Sequence, residues 1–248
     1  AGPGRWYNVP MTGGLRPPSR RAFALEGLTA LEPVRFAVNS WRVIRQPRGD
    51  GRPVFVLPGF GGGDASTGAL RSYLRGLGYD ARGWGLGRND GDVERLVRAV
   101  LPKVERSAER HGTPVPLIGW SLGGVISREV ARERPEVVEQ VITFGSPVVG
   151  GPKYTRVADT YRQRGADLDA IEAMIAERDD RPIRVPITAI YTRTDGVVSW
   201  RACIDRTSPD VEHVEVRSTH LGLGFHHRVY TEVATRLADP RRRVGSTP

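Results

Sequence analysis

The chain of 248 residues is long enough for one large α/β domain. Its single cysteine, Cys203, excludes an internal disulfide, and no apolar run approaches the ~20 residues of a membrane-spanning helix, so no stable membrane anchor is predicted. The formal net charge of +9 could indicate nucleic-acid binding or an anionic-membrane partner, but its arginines are scattered along the chain, a distribution that weakens both interpretations.

The two ends of the chain carry little fold information. The first methionine is Met11, and residues 1–11 are interpreted as a cloning remnant or a processed end. Residues 12–248 are predicted to form one domain. The N-terminus lacks the apolar core of a signal peptide, which favours a cytoplasmic protein, although a removed signal peptide would leave the same sequence. Nothing in the sequence indicates an oligomeric state.

Residues 23–44 contain apolar side chains at near-helical spacing. This pattern predicts one or two helices, with Pro33 kinking or splitting the segment. The members of the pattern are Phe23, Leu25, Leu28, Leu31, Val34, Phe36, Val38 and Trp41. We expect these side chains to pack in the core.

From residue 53 onward, apolar strands alternate with amphipathic helices. Strands are predicted over residues 53–57, 79–84, 141–144, 186–191 and 211–216, and helices over residues 66–77, 91–111, 155–164, 168–178 and 225–238. Residues 115–130 are predicted to form a short apolar strand, a sharp turn that contains residues 119–123, and a helix. The uninterrupted apolar strands suit a parallel sheet that is buried on both faces. The sequence therefore predicts a mostly parallel central sheet with helices on both faces, in which residues 148–182 form a small helical insertion.

Residues 119–123, Gly-Trp-Ser-Leu-Gly, lie between a predicted strand and a predicted helix. Gly-x-Ser-x-Gly in this setting is a nucleophile elbow, a strained turn that lifts the serine hydroxyl above the sheet. The glycines are needed because side chains there would collide with the neighbouring strand or helix. The alternative is an ordinary strand-to-helix connection in which Ser121 only caps the helix. Trp120 is expected to pack under the turn.

A serine hydroxyl needs a histidine to take its proton, and the histidine needs a carboxylate to orient it. Asp195 follows the strand that ends at Tyr191, and His220 follows the last predicted strand. Both residues should therefore lie at the carboxyl edge of the sheet, where parallel sheets bind ligands. Ser121, Asp195 and His220 are the predicted catalytic residues.

Other residues of the same types are less well placed. Asp205 falls in a predicted helix or loop, and Asp210 precedes its strand. Cys203 has no glycine elbow, so a buried, inert thiol is expected. The rival histidines, which lie in a strand or at helix ends, are His111, His213, His226 and His227.

Acyl transfer also needs donors aimed at the developing oxyanion. The backbone amide of Leu122, directly after the nucleophile, is one candidate, and the amide of Phe60 in the glycine-rich loop of residues 58–63 is the other. The alternative for this loop is a phosphate cradle, but the loop lacks the Lys-Ser or Lys-Thr of a nucleotide-binding loop.

Together these motifs resemble those of bacterial α/β-hydrolases of the esterase/lipase branch. The matching motifs are residues 57–62, 119–124, 143–147, 195–196 and 218–220, and the resemblance spans about residues 53–235. It implies the α/β-hydrolase fold and ester hydrolysis through a covalent acyl-serine, and the order Ser121, Asp195, His220 along the chain is the α/β-hydrolase order. No metal or organic cofactor is predicted. Pro58 departs from the family, whose members commonly have histidine before the oxyanion glycine.

Residues 148–182 occupy the position of the family's lid, between its sixth and seventh strands. The apolar side chains predicted to line an acyl pocket there are Val157, Tyr161, Leu168, Ile171, Met174 and Ile175. The alternative is a pair of helices packed permanently on the sheet. Trp84, Arg88 and Asn89 are further candidates for the border of the pocket.

The predicted function is hydrolysis of a small-molecule or lipid-like carboxylic ester through an acyl-serine intermediate. A thioesterase or an acyltransferase with the same triad is the first alternative. A catalytically silent hydrolase-fold binding protein is the second, because a fold does not by itself establish an activity.

Overall fold

The computed structural model describes residues 14–242. The interpretation of residues 1–11 lies outside the described residues, and the predicted domain of residues 12–248 is described except at its two ends. None of the helices between residues 14 and 242 is long and apolar enough to cross a membrane.

The described residues form one six-stranded sheet in the order β2-β1-β3-β4-β5-β6. Its strands are β1 (Pro53–Leu57), β2 (Asp80–Gly83), β3 (Val115–Trp120), β4 (Val138–Phe144), β5 (Ile187–Tyr191) and β6 (Val211–Glu215). All five neighbouring pairs are parallel, which confirms the predicted sheet. In the register Trp120 is paired with Phe144, so β3 and β4 end together at one edge.

Helices cover both faces of the sheet. The α-helices are α1 (Arg20–Ala24), α2 (Glu32–Val38), α3 (Ser40–Ile44), α4 (Gly68–Gly76), α5 (Val93–His111), α6 (Leu122–Glu133), α7 (Ala158–Gln163), α8 (Leu168–Arg178), α9 (His220–Leu223) and α10 (His227–Ala238). Short 3-10 helices span Leu25–Leu31, Asp64–Thr67, Pro135–Val137, Gly151–Tyr154, Trp200–Cys203 and Pro240–Arg242.

The continuous apolar run of β1 explains this layering. Successive side chains of a strand point to opposite faces of the sheet, and all five residues of β1 are buried. Val54 and Val56 pack in the core that includes α4 and α10. Phe55 and Leu57 pack in the core that includes α5 and α6. The prediction of helices on both faces is therefore confirmed.

The insertion of residues 148–182 is helical, as predicted. Its first helix, α7, is shorter than the predicted range of residues 155–164, whereas α8 has the predicted bounds. Asp167 caps α8, because its carboxylate accepts hydrogen bonds from the amides of Asp169 and Ala170.

Residues 20–44, which we call the N-terminal strap, form three short helices and the 3-10 helix Leu25–Leu31. Pro33 lies in the first turn of α2, where proline fits, and the 3-10 helix ends directly before that turn, so the segment is split there, as predicted, and no single helix is kinked. The prediction that the apolar residues of this segment pack in the core is wrong for most of them. The exposed ones are Phe23, Leu25, Leu28, Leu31, Val34, Val38 and Trp41, together with Ile44. The polar side chains of Glu26 and Glu32 are buried instead.

Candidate active site

Ser121 occupies a strained turn between β3 and α6. It is the one non-glycine residue between residues 14 and 242 with a positive φ, at 52°. Such backbone strain costs on the order of 1–3 kcal/mol and persists only where the surrounding structure imposes it. The Ser121 side chain makes no capping hydrogen bond to α6, so the structure does not support the alternative in which Ser121 only caps this helix. Trp120 stacks on Phe144 directly before the turn, with 5.9 Å between the ring centroids.

Asp195 and His220 are joined by a buried hydrogen bond. His220 Nδ1 lies 2.8 Å from Asp195 Oδ2. The other carboxylate oxygen, Oδ1, accepts from the amides of Val197 at 2.9 Å and Val198 at 2.6 Å. The carboxylate is therefore fixed with one oxygen towards His220, and the Nε2 atom of the imidazole is left for a reaction partner.

Ser121 and His220 line the same cavity. Within residues 14–242 no hydrogen bond joins Ser121 Oγ to the imidazole, and such bonds often tighten only when a substrate is bound. The site thus contains a serine on a strained turn and an oriented histidine on one cavity wall.

The surroundings of His220 favour its protonated form. Burial lowers the pKa of the imidazole, but the neighbouring Asp195 carboxylate and then Glu26 outweigh burial, so the pKa is raised above its ordinary value. A carboxylate that stabilises the imidazolium is what a histidine needs when it takes a proton from a hydroxyl group.

Glu26 is a site residue that the sequence analysis missed. Its Oε1 atom accepts from the amides of Gly196 at 2.8 Å and His220 at 2.9 Å, and its Oε2 atom accepts from Leu221 at 2.9 Å. One buried carboxylate therefore joins the loop of Asp195 to the loop of His220. The available signal was a lone acidic residue inside an otherwise apolar stretch.

Two further contacts tie the strap to the histidine loop. Thr29 Oγ1 lies 2.7 Å from Thr219 Oγ1, and the hydroxyl of Ser218 donates to Glu32 Oε1 at 3.2 Å. Glu26 and Thr29 are three apart in the 3-10 helix, a spacing that puts their side chains on one side, and Glu32 follows at the same spacing as the first residue of α2. The strap thus presents a polar row to residues 218–221.

The glycine-rich loop lies against Ser121. A Cβ atom built on Gly59 would be 3.1 Å from Ser121 Cβ, a tight contact that would require Ser121 or the loop to shift by a few tenths of an ångström. Phe60 and Leu122 both line the cavity that contains Ser121. Leu122 is the first residue of α6, and the first amides of a helix have no partner within that helix.

Asn89 does not border the cavity, and its predicted role as a substrate contact is wrong. The residue is fully buried. Its Nδ2 atom donates to the carbonyl of Pro58 at 2.9 Å, and its backbone exchanges hydrogen bonds with Gly61 and Gly62. Arg88 Nε donates to Gly61 O at 3.1 Å. Asn89 and Arg88 therefore hold the glycine-rich loop in position.

Trp84 was also predicted to border the pocket, and this prediction is wrong as well. Its indole is 1% exposed and packs with the α5 and α6 side of the core, and Nε1 donates to Gly87 O at 3.1 Å. The sequence indicated that residues 84–89 lie near the site. The sequence did not indicate the directions in which their side chains point.

The cavity has a volume of about 1240 Å³ and runs from Ser121 to the helical insertion. Its lining includes the predicted residues Val157, Tyr161, Ile171, Met174 and Ile175. Leu168, predicted with them, is buried and does not line the cavity. The ring centroids of Tyr161 and Phe60 are 5.4 Å apart, so the insertion contacts the glycine-rich loop beside Ser121.

The rival residues have other partners. Asp205 forms a buried ion pair with Arg128 at 2.7 Å, and His213 Nε2 accepts from the amide of Asp205 at 3.1 Å. Although burial raises the pKa of Asp205, Arg128 and backbone amides hold it below its usual value. Burial raises the pKa of the Cys203 thiol well above its usual value, so it stays an unreactive thiol. In the described part of the chain, no three His, Cys, Asp or Glu side chains are grouped to hold a metal ion.

Comparison with known proteins gives matches of structure only. No family model and no curated protein sequence matches the chain. One of the metagenome-derived lipolytic enzymes LipS and LipT has a TM-score of 0.60 at 14% identity, with 77% of this chain and 95% of that chain covered. Est1E from Butyrivibrio proteoclasticus has a TM-score of 0.58 at 13% identity, with 77% and 89% covered. A monoacylglycerol lipase from Paleococcus ferrophilus has a TM-score of 0.54 at 16% identity, with 78% and 97% covered.

Proposed function

We propose that this chain, which has the α/β-hydrolase fold, is a serine hydrolase that cleaves carboxylic esters through an acyl-serine intermediate. The observation that carries the proposal is the buried 2.8 Å contact between His220 Nδ1 and Asp195 Oδ2, on the cavity that Ser121 also lines. The structural neighbours named above support hydrolysis as the class of reaction.

In the proposed reaction Ser121 Oγ attacks the ester carbonyl while His220 Nε2 takes the hydroxyl proton. The amides of Phe60 and Leu122 donate to the oxyanion of the tetrahedral intermediate. Collapse of that intermediate expels the alcohol, which receives the proton from His220. A water molecule, activated by the same imidazole, then releases the acid and restores the serine. Asp195 holds the imidazole and stabilises its charged form throughout.

The proposed substrate is a small-molecule or lipid-like ester with an apolar acyl chain. Tyr161, Ile171, Met174 and Ile175 give the insertion side of the cavity an apolar wall that suits such a chain. Residues 148–182 then act as a lid over the acyl chain. The ring contact between Tyr161 and Phe60 would place the lid against one of the proposed oxyanion donors.

Active-site labelling tests this proposal. A fluorophosphonate probe should modify the protein once, at Ser121, since the probe reacts with serines activated by a neighbouring base. Intact-mass measurement and peptide mapping locate the adduct. Ser121→Ala should not be labelled, whereas Ser72→Ala, at an exposed position of α4, should be labelled like the parent protein.

Three outcomes would reassign the site. Labelling that persists in Ser121→Ala would place the nucleophile elsewhere. A protein that neither takes the probe nor hydrolyses p-nitrophenyl esters from acetate to decanoate would be a binding scaffold. Faster turnover of acyl thioesters than of matched oxygen esters would favour the thioesterase alternative.

Glu26→Gln should move the pH profile of ester hydrolysis. Only the neutral imidazole can act as a base, and the Glu26 carboxylate contributes to the raised pKa of His220. Without that negative charge the pKa of His220 falls, so the acid limb of kcat/KM against pH shifts to lower pH. Glu109→Gln, which removes an exposed charge on α5 outside the cavity lining, is the matched control and should leave the acid limb in place. A lower rate with an unmoved limb would mean that Glu26 acts only by holding the loops.

A further inference from the structure

The exposed apolar side chains of this protein are concentrated in the N-terminal strap. Among the described residues eleven large apolar side chains are exposed, and eight of them belong to residues 23–44. Two of the other three, Met174 and Leu221, line the catalytic cavity. Scattered exposed apolar residues are ordinary, but a contiguous group marks an interaction surface.

Five of the exposed apolar side chains of the strap fall in one row at helical spacing, which we call the ridge. In the 3-10 helix Leu25–Leu31, side chains three residues apart lie on the same side, and Leu25, Leu28 and Leu31 are all exposed. The row continues at helical spacing through Val34 and Val38, of which Val38 is 72% exposed. The strap is thus amphipathic with its polar row turned inward, towards the catalytic loops, and its apolar ridge turned outward.

The outward charges of the strap have one sign. The strap and the turn that follows it, residues 20–48, contain six arginines and two acidic residues, Glu26 and Glu32. Both glutamates are buried, whereas all six arginines are exposed. The arginines are Arg20, Arg21, Arg35, Arg42, Arg45 and Arg48. The guanidinium groups of Arg42 and Arg45 lie 5.0 Å and 5.7 Å from the ring centre of Trp41, so cations and apolar side chains share one surface.

We propose that the N-terminal strap is a peripheral docking surface for an anionic phospholipid bilayer. An apolar ridge bordered by arginines matches the boundary between acyl chains and phosphate headgroups, where basic amphipathic helices bind. A second copy of this chain fits the surface less well, because the six exposed arginines of residues 20–48 would face six others, and these residues offer no exposed carboxylate to pair with them.

The placement of the strap links this surface to the catalytic cavity. Arg20 and Phe23 of the strap line the cavity together with Leu221 and Ser121. A bilayer bound to the ridge would therefore lie beside the cavity opening, where a lipid-like ester could enter without crossing water. This consequence rests on the proposed function, whereas binding to the bilayer does not.

Vesicle flotation of the full chain tests the proposal without using its activity. Vesicles of equal parts phosphatidylglycerol and phosphatidylcholine should bind the protein at least ~10-fold more tightly than pure phosphatidylcholine, because basic residues near an anionic surface favour binding. Arg42→Gln with Arg45→Gln should weaken binding about 30-fold. Val34→Ser with Val38→Ser, which leaves every charge in place, should weaken it about 10-fold.

A control variant tests whether vesicle binding depends on the arginines near the strap or on the overall positive charge of the protein. Arg106→Gln with Arg110→Gln removes the same charge from exposed positions on α5 and should change vesicle affinity by less than about 2-fold. Thermal unfolding followed by circular dichroism checks that each pair of substitutions leaves the fold intact.

Two kinds of result would overturn the proposal. Equal losses from the strap and α5 pairs would mean that the net charge alone drives binding. No binding to anionic vesicles would also overturn it. Sedimentation would then distinguish a self-interface, seen as a dimer that the Val34 and Val38 substitutions dissociate, from a face covered within the monomer.

Discussion

Replacing Asp195 with asparagine is expected to lower kcat for ester hydrolysis by about 10⁴-fold while the protein stays folded. Asp195 Oδ1 accepts from the amides of Val197 and Val198, and only a carbonyl oxygen can replace it there. The Nδ2 group of asparagine would then point at His220 and donate to Nδ1. The imidazole proton would move to Nε2, and Ser121 would face a donor instead of a base.

The measurement is kcat with p-nitrophenyl butyrate at saturating concentration, together with the rate of fluorophosphonate labelling. Two substitutions of rival carboxylates serve as controls. Asp210→Asn changes an exposed residue and should leave kcat unchanged. Asp205→Asn breaks the buried pair with Arg128, so it should lower thermal stability but not kcat. Retention of more than about a tenth of the activity in Asp195→Asn would contradict the assignment of this residue as the acid of the triad.

Gly119→Ala is expected to destabilise the fold by about 3 kcal/mol, because it overpacks a rigid contact. A Cβ atom on Gly119 would overlap the backbone of Gly123 and Gly124, where α6 leaves β3. Backbone atoms cannot rotate away as a flexible side chain can. The loss is a large share of the ~5–15 kcal/mol that stabilises a typical domain.

Circular dichroism should show this loss as a fall in melting temperature of about 6–12 °C for a chain of this size. The matched control is Gly76→Ala at the end of α4, since a Cβ atom there would meet nothing within 4 Å. Alanine is the better helix former, so the control should be neutral or up to about 1 kcal/mol more stable. A Gly119→Ala protein with the parent melting temperature would show that the elbow can relax.

The sheet and the candidate triad were predictable from the sequence because they depend on order along the chain. Uninterrupted apolar runs such as residues 53–57 are typical of strands buried on both faces, and the carboxyl ends of parallel strands share one edge. Asp195 and His220 could therefore be selected from their positions after two strands. Their placement at one edge of the sheet was enough to predict that the two side chains lie close together.

The strap and the loop after β2 were not predictable, for two physical reasons. A helical period shows that one face of a segment is apolar, but the period is the same whether that face turns towards a core or towards solvent. Leu25 and Leu28 therefore resembled core residues. Trp84 and Asn89 lie in the expected region, but their orientation depends on contacts with a loop that lies far away in the sequence.

The hydrogen bonds of Glu26 have a consequence for the time at which catalytic competence arises during folding. They join residues that are 170 to 195 positions apart, so they close some of the longest loops in the chain. The entropy of closing such loops must be paid before the contacts contribute, and contacts of this kind form late. Regain of activity during refolding should therefore lag behind recovery of the helical signal, and a chain still in synthesis would hold an unassembled site.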